Sequence, residues 1–371
     1  MKRALIAMSG GVDSAAAAAL MLDRGYDCVG VTMKLIASGG SKCCSLEDIN
    51  DARLAAWKLR IPHYVLNYTE DFKRFVVEPF IAAYERGETP NPCIECNRHL
   101  KFRRLIRRAR ELEAELLVTG HYARIERPAG SGTAGPGQER PAGRWLLRKG
   151  RDPKKDQSYV LYMLGQEELA HTRFPLGEMT KAEVRELALK RGLANAGKRE
   201  SQDICFVPGG DYGTFMETYT GRHYAPGDIT DEGGRILGRH RGLVRYTLGQ
   251  RRGLGIARGE PVYVEAKHRE TNTLVVGPEQ SLYSKNLTVE GVNLIACQSI
   301  PQPLRLGVKT RYLQREQWAQ VEQTGPSAVH IEFEEPQRAI TPGQAAVFYD
   351  GDIVVGGGTI LHTSRMPPNA L

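Results

Sequence analysis

A six-residue turn, Ser9-Gly10-Gly11-Val12-Asp13-Ser14, restricts the folds open to this chain more than any other stretch. It stands between an apolar run, Ala4–Met8, that reads as a buried strand, and an alanine-rich run, Val12–Leu22, that reads as a helix. Two glycines let the backbone turn tightly and approach a ligand, while the amides that open the helix point at an anion. Ser9 and Ser14 add hydroxyl donors. This is a phosphate cradle in its physics, but not the G-x-x-x-x-G-K-[ST] loop, because the lysine is absent. A plain glycine turn with Asp13 or Ser14 capping the helix is the alternative. A bare Gly-Gly would favour that alternative; all six residues in a strand–helix setting favour the phosphate site.

The turn opens a longer rhythm. Cys28–Met33, Tyr64–Leu66 and Leu116–Thr119 read as further strands, and Leu46–Leu59, Phe72–Tyr84, Leu100–Leu112 and Thr180–Arg191 as helices. Such alternation predicts an α/β fold, a doubly wound parallel sheet with ligands at the carboxyl ends of its strands. Arg127–Gly143, rich in Gly, Pro and Arg, reads as an exposed loop. From about Tyr212 short apolar alternations punctuated by glycine take over, as at Val262–Val264 and Leu274–Gly277. Val329, Ile331 and Phe333 alternate with polar residues, and Asp350-Gly351 signals a hairpin between Ala345–Tyr349 and Ile353–Val355. The chain of 371 residues, 41% hydrophobic, thus divides into a phosphate-site domain over 1–207, a small central domain over 208–285 and a C-terminal β-barrel over 286–371.

Charge and cysteines narrow the function. Lys plus Arg number 51 against 43 Asp plus Glu, a net +8 that favours a polyanionic partner. No stretch approaches the ~18 apolar residues of a membrane span, and the apolar start ends at Ser9 without a cleavage signal, so a cytoplasmic protein with no membrane partner is expected. Seven cysteines at irregular spacing do not suggest a disulfide scaffold. Cys93 and Cys96 form a Cys-x-x-Cys on a proline-stiffened loop, Thr89–Asn97, that runs into a basic helix. Arginines 103, 104, 107 and 108 of that helix suit phosphate contacts, or simply a solvated face. With Cys205 farther on, the thiols permit two chemistries: persulfide transfer with a resolving disulfide, or a cluster held by three thiolates with one iron open. Cys28 and Cys297 read as inert buried thiols, and Cys43 and Cys44 stay unassigned.

Together with Val31-Thr32-Met33-Lys34, Thr119-Gly120-His121-Tyr122, Lys155-Asp156-Gln157-Ser158-Tyr159, the run from Thr247 to Ile256, Val308–Tyr312 and Thr341-Pro342-Gly343-Gln344, these features resemble one family over nearly the whole chain. It is that of the bacterial tRNA-specific 2-thiouridylases, whose PP-loop the Ser9–Ser14 turn matches. The resemblance implies an enzyme that cuts ATP to AMP and pyrophosphate, adenylates O2 of the wobble uridine in a tRNA anticodon loop, and replaces that oxygen with sulfur from a cysteine persulfide. It implies ATP contacts from Ala7, Met8, Ser9, Gly10, Gly11, Val12, Asp13, Ser14, Met33 and Gly120, with Mg2+ on the phosphates and Asp13 a candidate ligand for it. Cys96 matches the nucleophile and Cys205 the persulfide carrier. Asn91, Pro92 and Cys93 match the surroundings of the target base. His121, Lys155, Asp156, Gln157, Arg311, Tyr312 and Gln344 match tRNA-contacting positions. The implied partners are tRNA and a sulfur-donor protein, either a sulfur-relay protein or a cysteine desulfurase. One departure stands out: the best-known form of the family carries Asp where this chain has Cys93. Either another group moves the proton there, or Cys93 joins Cys96 and Cys205 around a [4Fe-4S] cluster in a non-redox thiolation. A synthase or ligase from another branch of the superfamily would not need the thiols, and a non-catalytic tRNA-binding module would not need the turn.

Overall fold

Ala4, Leu5 and Ile6 are fully buried, so the strand that carries them, β1 (Arg3–Ala7), belongs in the middle of a sheet. It lies there. β2 (Asp27–Lys34), β3 (His63–Asn67), β4 (Leu116–Val118) and the short strand Thr172–Arg173 complete a parallel sheet, with β2 and β3 on one side of β1 and the others on the other. The computed structural model describes residues 2–36, 46–128, 143–193, 204–256 and 259–365, with the backbone of 132–133 and 139–140.

Alternation along β1 splits the core. Ala4 and Ile6 face one layer, where α1 (Val12–Asp23) and α2 (Leu46–Lys58) pack through alanines 15 to 18, 52, 55 and 56. Small side chains let α1 lie close to the sheet, which brings its first turn against the end of β1. Leu5 faces the opposite layer, covered by Phe102, Leu105, Ile106 and Ala109 of a helix over 92–111. The doubly wound sheet read from the sequence is therefore present. Two helices differ in extent from the periodicity: α3 spans 69–85 and α4 spans 92–111, each winding with π geometry in its middle, at Lys73–Val77 and Cys96–Arg104. A widened turn shifts the side-chain period away from 3.6, which is why the start of α4 was not visible before Leu100.

The central unit is a four-stranded sheet, Ile236–His240, Gly227–Thr230, Thr273–Gly277 and Tyr263–His268 in that order, around Ile229, Val264, Leu274 and Val276. Beyond it, six strands from Tyr283–Leu294 to Ile353–Arg365 close into a barrel, the last pairing back onto the first. Val329, Ile331 and Phe333 point inward, 0%, 0% and 1% exposed, as their alternation requires. The hairpin after Asp350 turns through Gly351, at φ +59°, and Asp352.

One connection was not legible. Ala123–Glu126 and Leu146–Lys149, which flank the segment read as an exposed loop, pair with each other and join the barrel through Arg148 and Ile353. Arg124 and Arg148 both donate to the Asp352 carboxylate, at 2.5 and 2.6 Å. Within the segment, Gly132–Thr133 pairs with Glu139–Arg140, while residues 129–131, 134–138 and 141–142, like Cys43 and Cys44, lie outside the described residues. Among the described residues no helix is long and apolar enough to cross a membrane.

Candidate active site

The carboxyl end of β1 runs straight into the glycine turn. Gly10 takes φ +78°, and a Cβ there would lie 2.3 Å from the Asp48 carbonyl oxygen, so only glycine fits. Gly11 occupies the cap position of α1 and leaves the cap to the backbone. Ser14, 4% exposed, braces the turn: its hydroxyl donates to the Gly11 carbonyl at 3.0 Å and accepts from the Ser9 N–H at 3.2 Å. Gly120 closes the other wall, where a Cβ would stand 2.8 Å from the Asp13 carbonyl carbon and 2.9 Å from the Ser14 nitrogen.

Asp13 does not cap the helix, whose cap position is Gly11. Tyr122 donates its hydroxyl to Oδ1 at 2.7 Å, and the Lys181 ammonium donates to Oδ1 at 2.7 Å and Oδ2 at 2.8 Å. Each carboxylate oxygen thus accepts from a neighbouring side chain, and the acid is held at the edge of the turn. Lys181, 7% exposed, opens α5 (Lys181–Lys190). The helix expected over Thr180–Arg191 is present and is capped by Thr180 with Glu183, but its periodicity carries no sign that its first residue reaches the turn.

The thiols come from a second wall. Asn91 caps α4, its side-chain oxygen accepting the Cys93 N–H at 3.1 Å, and Pro92 takes the first helical position. Cys93 is exposed at the rim, whereas Cys96 is buried with Phe72, Phe80, Leu100 and Phe206. Cys205 is half-buried against the same cluster. Burial pushes the other two described thiols, Cys28 and Cys297, up to about 11, consistent with inert packing roles.

Both walls enclose one cavity of about 340 Å3. Ala7, Met8, Ser9, Asp13, Ser14, Met33 and Gly120 line it at the turn, and Pro92, Cys93, Cys96 and Cys205 line it at the thiols. Lys101 brings a cation from α4, a residue that spacing alone left among the surface charges. No three His, Cys, Asp or Glu side chains among the described residues converge as a metal-holding group. Cys93, Cys96 and Cys205 therefore share a cavity without converging as a ligand set, and the cluster alternative is not favoured.

The positions matched to tRNA contacts divide. His121 and Gln157 line the cavity. His121 is a wall residue, with Nδ1 2.7 Å from the Thr119 hydroxyl and its ring against Phe102 and Phe174. Burial, with Lys101 adding to it, holds its pKa well below the usual 6.5, so the ring is neutral. The Asp156 carboxylate binds the Gly150 and Ser158 amides and the Ser158 hydroxyl, a turn-forming task, and Lys155 beside it is half-buried. Arg311 donates to the Ala339 carbonyl and the Thr341 hydroxyl, and Tyr312 packs 6.0 Å from the Tyr159 ring. Gln344 donates to the Thr89 carbonyl at 2.6 Å, tying the barrel to the loop that starts α4. On that helix Arg104 pairs with Asp71, and Arg107 and Arg108 share Glu111; Arg103 and Arg107 are the exposed members of the four.

A parallel sheet whose central strand ends in a glycine turn at a helix start, with three thiols in the adjoining cavity and two β units after it in the chain, defines a nucleotide-binding α/β domain followed by barrels. Family models match part by part: "tRNA methyl transferase HUP domain" over residues 2–209, "tRNA methyl transferase PRC-barrel domain" over 213–278 and "Aminomethyltransferase beta-barrel domain" over 284–360. The chain is 46% identical over 368 residues to the tRNA-specific 2-thiouridylase MnmA of Symbiobacterium thermophilum, covering 97% of this chain and 92% of that one. It is 47% identical to the MnmA of Moorella thermoacetica, covering 96% and 98%, and 48% identical to that of Roseiflexus castenholzii, covering 97% and 99%. This chain belongs to the tRNA-specific 2-thiouridylase family.

Proposed function

We propose that the chain makes 2-thiouridine in tRNA, using ATP to activate the base and a cysteine persulfide to supply the sulfur. The observation that carries this reading is the single cavity with an anion cradle at one end and Cys96 and Cys205 at the other. A carbonyl oxygen leaves poorly until it is esterified, and the cradle and the thiols answer the two halves of that problem. The phosphates of ATP belong at Ser9–Ser14, and Mg2+ enters as their counter-ion. The uridine, unstacked into the cavity past Asn91, Pro92 and Cys93, presents O2 to the α-phosphorus. The O–P bond forms as the α–β bond breaks, and pyrophosphate departs with the bonding pair. An anticodon loop, being single-stranded, reduces the cost of extruding the base.

Sulfur arrives on Cys205 from a donor protein. The terminal sulfur of the persulfide attacks C2 and AMP leaves. Cys96 then attacks the Cys205 Sγ, forming the Cys96–Cys205 disulfide and leaving the thiocarbonyl on the base, after which a thiol reductant restores the pair. His121, Lys155, Asp156, Gln157, Arg311, Tyr312 and Gln344 shape or hold the RNA side of the site in this reading. Residues 1–207 perform the chemistry, and 208–285 and 286–371 serve RNA binding.

The test is to incubate iron-free protein with unmodified tRNA, ATP and a persulfide donor, then to digest the tRNA and measure 2-thiouridine by mass spectrometry. Product under these conditions is the expected result. Product only after iron and sulfide are restored anaerobically would overturn the persulfide route, and none under either condition would overturn the function.

A further inference from the structure

We propose that Lys181 is a positioning residue of the nucleotide site, which neutralises and holds Asp13 so that the Ser9–Ser14 turn can accept the phosphates of ATP. The inference rests on the ATP-binding reading above. It starts from a conflict inside the turn. The amides at the start of α1 attract an anion, yet Asp13 places a carboxylate in the same first turn, and it lines the same cavity as Ser9 and Ser14. The helix dipole tolerates an acid there, but an arriving polyphosphate meets a like charge in a partly enclosed site, where screening by water is weak.

Lys181 resolves the conflict. Its ammonium meets both oxygens of Asp13, at 2.7 and 2.8 Å, and lies 5.7 Å from the centroid of the Tyr122 ring whose hydroxyl binds the same carboxylate. The start of α5 is itself fixed: Thr180 and Glu183 close a capping box, and the Lys181 N–H donates to the Asp152 carboxylate at 3.0 Å. The side chains of Lys181 and Asp13 are 9% and 29% exposed, so the cation is the more deeply buried partner. Each side chain thus presumes the other: without Lys181 the acid faces the phosphates, and without Asp13 a buried ammonium loses the carboxylate it meets through both oxygens.

The two losses are separable by experiment. Lys181→Met leaves Asp13 charged but able to reach water, so the protein folds while binding of α,β-methylene-ATP weakens by about 10- to 100-fold. Asp13→Asn removes the carboxylate that the buried ammonium meets and chiefly lowers stability. The double variant Asp13→Asn with Lys181→Met removes both charges and recovers nucleotide affinity to within about threefold of wild type, a rescue that a purely structural role would not produce. In steady state, Lys181→Met raises KM for ATP more than it lowers kcat, and the double variant keeps the wild-type Mg2+ dependence. Unchanged nucleotide affinity in Lys181→Met would overturn the proposal. So would a folded double variant that binds no better than Lys181→Met, or a Mg2+ requirement that rises when Asp13 is replaced. A wild-type chain that binds no nucleotide would overturn the underlying ATP-site reading instead, a result distinct from all three.

Discussion

At the scale of single residues, the three thiols of the cavity are chemically alike and placed differently. Cys96 is buried and Cys205 half-buried in one apolar cluster, while Cys93 is exposed at the first turn of its helix. A persulfide relay needs only the first two. Cys96→Ser and Cys205→Ser should each lower 2-thiouridine formation by at least about 1,000-fold, since removing a nucleophile removes the step it performs, while leaving pyrophosphate release largely intact. Cys93→Ser should keep activity within about fivefold. Equal losses in all three variants would sink the relay and return the trio to a shared ligand role. His121 supports a second measurement. Burial holds its ring neutral in the folded chain, whereas the unfolded chain protonates it near 6.5. As the pH falls through that value, the unfolded state gains a proton that the folded state refuses, so stability falls; well above it the contribution is constant. Thermal unfolding of His121→Gln, followed between about pH 7 and pH 5, should show a shallower loss than wild type. Parallel curves would mean that the ring is not held neutral.

At the scale of elements, legibility followed the range of the interactions. β1 and the Ser9–Ser14 turn could be read because strand, glycines and helix start are neighbours in sequence. The Cys-x-x-Cys was equally local, and the alternation at Val329, Ile331 and Phe333 announced the barrel wall. What escaped notice was set by distant partners. Lys181 meets Asp13 across 168 positions, and Gln344 meets Thr89 across 255, and neither end carries a local mark of the other. The second of these contacts positions an element. Thr89 leads through Asn91 and Pro92 into α4, its N–H donates to the Pro342 carbonyl at 3.0 Å, and its carbonyl accepts from Gln344. The barrel therefore sets where the helix bearing Cys96 begins. Gln344→Ala should lower kcat by about 10- to 100-fold through misplacement of that helix start. Its cost in stability should stay near 1 kcal/mol, the net worth of one hydrogen bond. Wild-type kcat in this variant, measured with saturating tRNA and ATP, would show that the tie has no part in positioning the thiol.

At the scale of the whole molecule, a net charge of +8 is small beside 51 basic residues because 43 acidic ones offset them, and on some elements the two are paired locally. The α4 helix shows how. Arg104 is tied to Asp71 at 2.7 Å, and Arg107 and Arg108 converge on Glu111 at 3.3 and 2.7 Å, so three of the four arginines that looked like a phosphate ladder already have carboxylate partners. An RNA phosphate must compete with those partners, which lowers the number of counter-ions released for each arginine present. Arg103, exposed on the same helix, faces no such competition from the pairs that occupy its neighbours. The salt dependence of tRNA binding separates the two kinds of arginine. Arg103→Gln should weaken binding and reduce the slope of log K against log salt by about 0.7 to 0.9, the value of one phosphate contact. Arg104→Gln should lower thermal stability through loss of the Asp71 pair and leave that slope unchanged. An unchanged slope for Arg103→Gln would remove α4 from the RNA-binding surface, and the polyanion would then have to be sought on the two β units.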